Sequence, residues 1–117
     1  MLSRVFRLTQ EKDFLRIYKK GQRIQGNHLR ISVLRANQNV TRFGFVISKK
    51  ELSKATARNR VKRILRAAVH GQKKNIKPGY DVIIQARASS KLAPPALLRQ
   101  EIENLFSKAK LIYPPKF

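Results

Sequence analysis

The chain has 117 residues, 42% of them hydrophobic, and 27 Lys and Arg against 6 Asp and Glu, for a formal net charge of +21. That length suits one domain with a modest core, and that apolar content argues against a disordered basic tail. No apolar run of about 18 residues is present to span a bilayer, and the absence of cysteine excludes disulfides, thiolate zinc sites and cysteine nucleophiles.

Residues 1–7 lack the apolar stretch and small-residue cleavage site of a secretory signal and read as a loose end. Thr9 can cap a helix over residues 10–20, with Glu11 well placed in its first turn. Phe14, Ile17 and Tyr18 then share one face, and Gly21 suits the left-handed residue that ends a helix. Leu29, Ile31 and Val33 alternate with Arg30 and Ser32, which predicts a strand over residues 29–35. A polar turn, Ala36-Asn-Gln-Asn39, leads to the continuously apolar run Phe43-Gly-Phe-Val-Ile-Ser48. That run reads as a central strand, and the short link predicts that it pairs antiparallel with the first. Ser53 can cap a second helix running to about Val69, with Gly71 as a stop. A basic loop closes on Pro78-Gly79, and Tyr80-Asp-Val-Ile-Ile-Gln-Ala86 reads as a third strand. Residues 89–93 read as a loop. Pro94 and Pro95 fit the start of a last helix marked by Leu98, Ile102, Leu105, Phe106 and Ala109. Residues 112–117, with Pro114 and Pro115, read as a second loose end. The predicted order is α-β-β-α-β-α in one α+β domain spanning residues 1–117, without repeat or linker.

The most informative segment runs from Lys54 to Arg66, with six basic side chains and no acidic one. On a helical wheel Ala57, Val61, Ile64, Leu65 and Ala68 gather on one side, while Arg58, Asn59, Arg60, Lys62, Arg63 and Arg66 fan over the rest. A face kept only for solubility mixes Glu with Lys and gains i,i+4 pairs. Here Arg58, Lys62 and Arg66 follow one another at i+4, where like charges weaken an isolated helix by a few tenths of a kcal/mol each. The repulsion implies a polyanionic partner that offsets it. Nucleic acid fits, since each cation placed on a phosphate releases a condensed counterion. A membrane surface fits less well: there is no Trp to anchor an interfacial helix and no Cys to acylate. Arginine forks onto two phosphate oxygens, and the Asn59 amide can donate and accept against a 2′-hydroxyl or a base edge. Neutralising about six phosphates would make affinity fall on the order of a thousandfold between about 50 and 200 mM salt.

Phe14 and Tyr18 allow two readings, stacking on unpaired bases or packing in the core. Catalysis by the chain alone has little to work with. The acids are Glu11, Asp13, Glu51, Asp81, Glu101 and Glu103; the helical pairs two apart diverge, so no convergent set for two-metal hydrolysis is expected. His28 and His70 lack a carboxylate or second His at i+3 or i+4, and the five glycines are scattered rather than gathered in a phosphate loop. The chain therefore reads as a binder.

The run Ala57-Arg-Asn-Arg-Val-Lys-Arg-Ile-Leu-Arg66 resembles the signature helix of the bacterial ribonuclease P protein subunit. Its most specific element is the Arg58-Asn59-Arg60 triplet followed by Lys62 and Arg63. The similarity extends over nearly the whole chain: Arg7-Leu8, Asp13-Phe14, Tyr18 and Gly21; then Phe43 to Lys50; then Gly79 to Arg87. The resemblance implies a two-layer α/β sandwich like a ribosomal-protein domain, with a left-handed βαβ crossover against the usual right-handed rule. It implies partnership with a large catalytic RNA and with precursor tRNA, whose 5′ leader the holoenzyme removes by hydrolysis, with Mg2+ bound mainly by the RNA. By matching position, Arg58, Asn59, Arg60, Lys62, Arg63 and Arg66 would face the catalytic RNA, with Lys49, Lys50 and Lys54 as further phosphate contacts. Phe14 and Tyr18, with Arg30 and Ser32 of the sheet, would line a cleft for the single-stranded leader. Some family members place an aromatic on the first strand there; this chain has Leu29, Arg30, Ile31 and Ser32, so Arg30 would substitute charge for stacking. No obligate protein partner, no membrane and no metal held by the protein itself are expected, and the expected location is the cytoplasm. The competing readings are a structural ribosomal protein, a DNA-binding module using the same helix, and a stand-alone nuclease.

Overall fold

A computed structural model describes residues 7–113. Helix α1 spans Glu11–Lys20, with Glu11 and Asp13 in its first turn and Lys19 and Lys20 in its last, each sign facing the favourable end of the helix dipole. Its N-cap is Gln10, not Thr9, and no side chain caps it. Gly21 is extended (φ −76°) rather than left-handed. Glycine is needed there for closeness: a Cβ would lie 2.5 Å from the Ile17 carbonyl oxygen and 3.0 Å from that of Val33.

The chain passes directly from Gly21 into a strand that the sequence pattern did not reveal, β1 (Gln22–Gln25). Strands β2 (Leu29–Arg35) and β3 (Arg42–Val46) follow, then α2 (Ala55–Gly71), β4 (Tyr80–Ala86) and α3 (Pro95–Lys108). Short 3-10 turns cover Lys73–Asn75 and Ala88–Lys91. Pro95 opens α3 at a position whose N–H would have no intrahelical acceptor.

The sheet order is β1-β2-β4-β3. This overturns both the predicted β2–β3 pairing and the central place of β3. Strand β4 lies between them, antiparallel to β2 (Ile31↔Ile84) and parallel to β3 (Phe43↔Val82). The 17-residue α2 supplies the long crossover that a parallel β3–β4 pair requires. Val82, Ile83 and Ile84 are fully buried, so the centre goes to the strand that needs cover on both faces. Strand β3 is an edge whose outer side is met by Arg7: Arg7 bridges Phe43 in parallel, and the Leu8 N–H donates to the Phe43 carbonyl at 2.8 Å.

The main core lies between one face of the sheet and α2 with α3. Leu29, Ile31, Val33, Phe43, Val82 and Ile84 meet Val61 and Leu65 of α2 and Leu98, Ile102, Leu105 and Phe106 of α3. Each such side chain, fully buried, contributes about 1.5–3 kcal/mol from removal of apolar surface from water. Phe43 and Phe106 stack with centroids 6.1 Å apart. On the opposite face α1 covers only part of the sheet, through a smaller cluster of Leu8, Ile17 and Ile83 with Phe14, Tyr18, Leu34 and Val46 against it. Glu101 of α3 fastens the β1–β2 hairpin, accepting the N–H groups of His28 (2.9 Å) and Leu29 (2.6 Å). At the far end Ile112 bridges Ile76, and the Tyr113 N–H donates to the Asn75 carbonyl. Arg7, Ile112 and Tyr113 are thus held by the body of the fold, and the rest of each expected loose end lies outside the described residues.

Candidate nucleic-acid interface

Helix α2 buries Val61, Leu65, Ala68 and Val69 against the core. Its N-cap is Lys54 rather than Ser53, without a side-chain cap bond. The Arg58 guanidinium donates to the carbonyls of Leu52 (2.7 Å) and Ser53 (2.8 Å) and so ties the β3–α2 loop to the first turn, although as a donor it leaves the free N–H groups of that turn uncapped.

The basic residues divide into two sets. Arg58, Lys62 and Arg66, the i+4 row, run along the half-buried flank beside the core. Arg66 lies over the Phe45 ring of β3 at 5.7 Å, a cation–π contact, and its Nε is enclosed without a hydrogen-bond partner among the described residues. Asn59, Arg60 and Arg63 form the exposed outer face. Arg60 makes one long hydrogen bond, 3.4 Å, to the Lys91 carbonyl. Lys49, Lys50 and Lys54 are exposed around the turn that leads into the helix, with Lys49 and Lys50 a few residues past the end of β3. No acidic residue lies in the helix to neutralise any of them.

The open part of the other sheet face forms a cavity of about 400 Å3 lined by Gln25, Arg30, Val46, Ser48, Glu51, Gln85, Ala86 and Arg87. Arg30 and Gln85 are register partners, and the Arg30 Nε donates to the Gln85 Oε1 at 3.0 Å. Glu51 accepts the Ala88 N–H at 3.0 Å, which closes one side of the cavity. Of the four residues expected in a cleft, only Arg30 lines this one. Phe14 packs over Gly44, where a Cβ would lie 2.6 Å from two ring carbons, so glycine is required beneath it. Tyr18 is half-buried; burial pushes its hydroxyl above the usual phenol range, against the opposing pull of Arg30 and Arg23. Ser32 is buried, and its Oγ has no hydrogen-bond partner among the described residues. Gln25, Gln85 and Arg87 were not anticipated. Strand alternation puts Gln85 on the same face as Arg30, a usable signal, whereas Gln25 belongs to the unrecognised β1.

Helix α1 is held to the sheet by a charge network centred on Asp81, whose side chain is sealed from solvent. Arg42 donates to it through Nε and Nη2, both at 2.9 Å, Arg16 through Nη2 at 2.7 Å and Gln38 through Nε2 at 2.9 Å. Burial alone would raise the Asp81 pKa, but the hydrogen bonds from Arg42, Arg16 and Gln38 outweigh it and hold the carboxyl below its ordinary value. Asp13 joins the network through Arg16 at 3.3 Å and Arg42 at 3.7 Å. Among the described residues no group of three or more His, Cys, Asp and Glu could hold a metal ion, and no helix is long and apolar enough to cross a membrane.

The family model for ribonuclease P matches residues 2–110, a span that holds the basic helix, the cavity and the Asp81 network. The chain belongs to the ribonuclease P protein family. It is 37% identical over 112 residues to the ribonuclease P protein component of a Synechocystis strain, covering 95% of this chain and 90% of that protein. With the same component of Clostridioides difficile it shares 35% over 105 residues, covering 89% and 91%. Among solved structures it resembles the RNase P protein of Staphylococcus aureus, with a TM-score of 0.85, 28% identity and coverage of 92% and 98%. The RNase P protein from Thermotoga maritima gives a TM-score of 0.80 at 27% identity, covering 87% of this chain and 96% of that one. The expected family and fold class are therefore established, and the chain shares its overall fold with the ribonuclease P proteins it resembles.

Proposed function

We propose that this chain is the protein subunit of a ribonucleoprotein ribonuclease P. It docks on the catalytic RNA through α2 and holds the 5′ leader of precursor tRNA over the open sheet face, assisting the hydrolysis that leaves a mature tRNA 5′ end. The observation that carries this reading is an acid-free helix face on which the side chains of Asn59, Lys62 and Arg63 have no hydrogen-bond or ion-pair partner among the described residues, with Arg60 only weakly engaged. Arg63 and Arg60 would fork onto phosphates, and Asn59 between them would read a 2′-hydroxyl or base edge. Lys49, Lys50 and Lys54 extend the same positive surface. Arg58 and Arg66 support it from within, one by ordering the loop before the helix and the other by lying across Phe45.

The leader would cross the cavity floor, with Arg30 and Arg87 for phosphates and Gln25 and Gln85 for base edges. Tyr18 would stand at its border, while Phe14 and Ser32 belong to the packing beneath α1. Two of the carboxylates are already engaged, those of Asp81 and Asp13 being taken up by Arg16, Arg42 and, for Asp81, Gln38, and among the described residues the acids do not gather into a metal-holding group. The magnesium ions of the reaction are accordingly assigned to the RNA, and the protein's part is to bind and orient. A cytoplasmic location accords with such a role. Adding the chain to the catalytic RNA at low magnesium tests the proposal: cleavage of precursor tRNA should rise well above that of the RNA alone. Equal rates with and without the chain would refute it.

A further inference from the structure

We propose that Asp81 is a positioning residue that clamps α1 at a fixed angle across the sheet and thereby sets one wall of the cleft assigned above to the leader; the inference rests on that assignment. Successive residues of β4 on this face have three tasks. Asp81 holds α1 through Arg16, Ile83 packs beneath it, and Gln85 forms cavity floor beyond its edge. One strand therefore joins clamp, contact and floor at a spacing of two residues.

Apolar contact alone leaves the position of α1 weakly determined. Ile17 is its only fully buried residue, and no side chain caps its N-terminus. Apolar burial is non-directional, so it resists lifting of the helix far more than turning or sliding. Hydrogen bonds from arginine to a sealed carboxylate are directional and short. Arg16 lies one residue before Ile17 and two before Tyr18, so its bond to Asp81 fixes the rotation that aims Tyr18. Tyr18 in turn sits close enough to Arg30 and Arg23 to feel their charge, and the Arg23 guanidinium donates to its carbonyl at 3.2 Å. Arg30 is cavity floor. A turn of α1 would therefore change the gap between Tyr18 and Arg30. Arg42 and Gln38 make the clamp rigid by tying β3 and the β2–β3 loop to the same carboxylate. Helix α2 packs on the opposite face of the sheet, so the clamp acts on the leader wall and leaves the surface assigned to the catalytic RNA in place.

The decisive variant is Arg16→Gln, because the Asp81–Arg42 pair stays intact and the chain keeps its fold. It is assembled with the catalytic RNA, and binding is measured for precursor tRNA with a leader and for mature tRNA without one. The preference for the leader should fall about tenfold, the loss of roughly one charge-assisted hydrogen bond, while affinity for the catalytic RNA shifts less than about twofold. Arg16→Lys should recover part of the preference, since it restores charge without the fork. An unchanged preference overturns the proposal, as does a loss shared equally by both substrates and the catalytic RNA, which is the mark of simple destabilisation. If the unaltered chain itself shows no leader preference, the leader assignment fails independently. The clamp is then judged by amide hydrogen exchange over residues 11–20: faster exchange in Arg16→Gln with α2 unchanged sustains it, and unchanged exchange sinks it.

Discussion

Helices α1 and α2 both carry arginine, and they use it in opposite ways. On α1, Arg16 turns inward to Asp81 and Asp13. On α2, Arg63 and Asn59 face outward without a hydrogen-bond or ion-pair partner among the described residues, and the internal acceptors for Arg58 and Arg60 are backbone carbonyls rather than carboxylates. A carboxylate neutralises its arginine, whereas a carbonyl orients one and leaves its charge available. The chain has 6 acids for 27 bases. Four of them are internal acceptors: Asp13 and Asp81 in the clamp, Glu51 on the Ala88 N–H, and Glu101 on the β1–β2 hairpin. Acid is thus placed mainly where it holds the fold, and it is absent from α2, whose outer face is basic.

This contrast can be broken from either side. The largest effect is expected for Asp81→Ala, which leaves Arg42 and Arg16 with only their longer contacts to Asp13. Breaking a buried pair typically costs about 3–5 kcal/mol, and since both arginines reach partly into solvent the value here should be about 3 kcal/mol, read by chemical denaturation. Removing two cations from the other helix, Arg60→Ala with Arg63→Ala, should change stability by less than about 0.5 kcal/mol. It should weaken binding to the catalytic RNA about tenfold and reduce the salt slope by about 1 per residue, measured by titration at several salt concentrations. Acid should separate the two helices in a milder way. Because the Asp81 pKa is lowered in the folded chain, its stabilisation is fully present above the unfolded value of about 3.9 and is lost as pH falls through the lower folded value. Denaturation midpoints of the parent chain should therefore fall steeply below about pH 4, and Asp81→Asn should remove that component of the fall. The smallest effect is expected for Ser32→Ala. Its buried Oγ has no partner among the described residues, so the variant should be neutral or more stable by up to about 1 kcal/mol, with leader affinity unchanged.

The legible parts of the sequence were those in which one requirement governs several residues in a row. Strands β2 and β4 were read with their observed bounds, because alternation in one and continuous burial in the other each leave a clear pattern. The basic helix was legible because a missing sign of charge is as visible as a motif. Strand β3 was misplaced because an apolar run reports cover on two faces, not neighbours on two sides. Phe14 presses on Gly44 from one face, while Phe43 meets Phe106 on the other. Strand β1, Gln-Arg-Ile-Gln, has a single apolar residue and no period to detect. The i+4 row Arg58, Lys62 and Arg66 lies on the half-buried flank of the helix rather than on its outermost face, a division that spacing on a wheel does not show; Arg66 there lies over Phe45. The Asp81 clamp joins residues 65 and 39 positions apart, beyond any local pattern. The available sign was the acid itself, one carboxylate inside an otherwise buried strand in a chain so rich in cations.

The contact of Arg7 and Leu8 with Phe43 has a consequence for how the chain behaves at high concentration. An open sheet has two edges, and each bare edge is a template on which another molecule can add a strand. Here one edge is β1, four residues long and mostly polar, with Arg23 within it. The other is apolar β3, the more hazardous of the two, and its outer side is already occupied at Phe43 by the chain's own backbone. Self-association through strand addition is thereby disfavoured at both ends of the sheet.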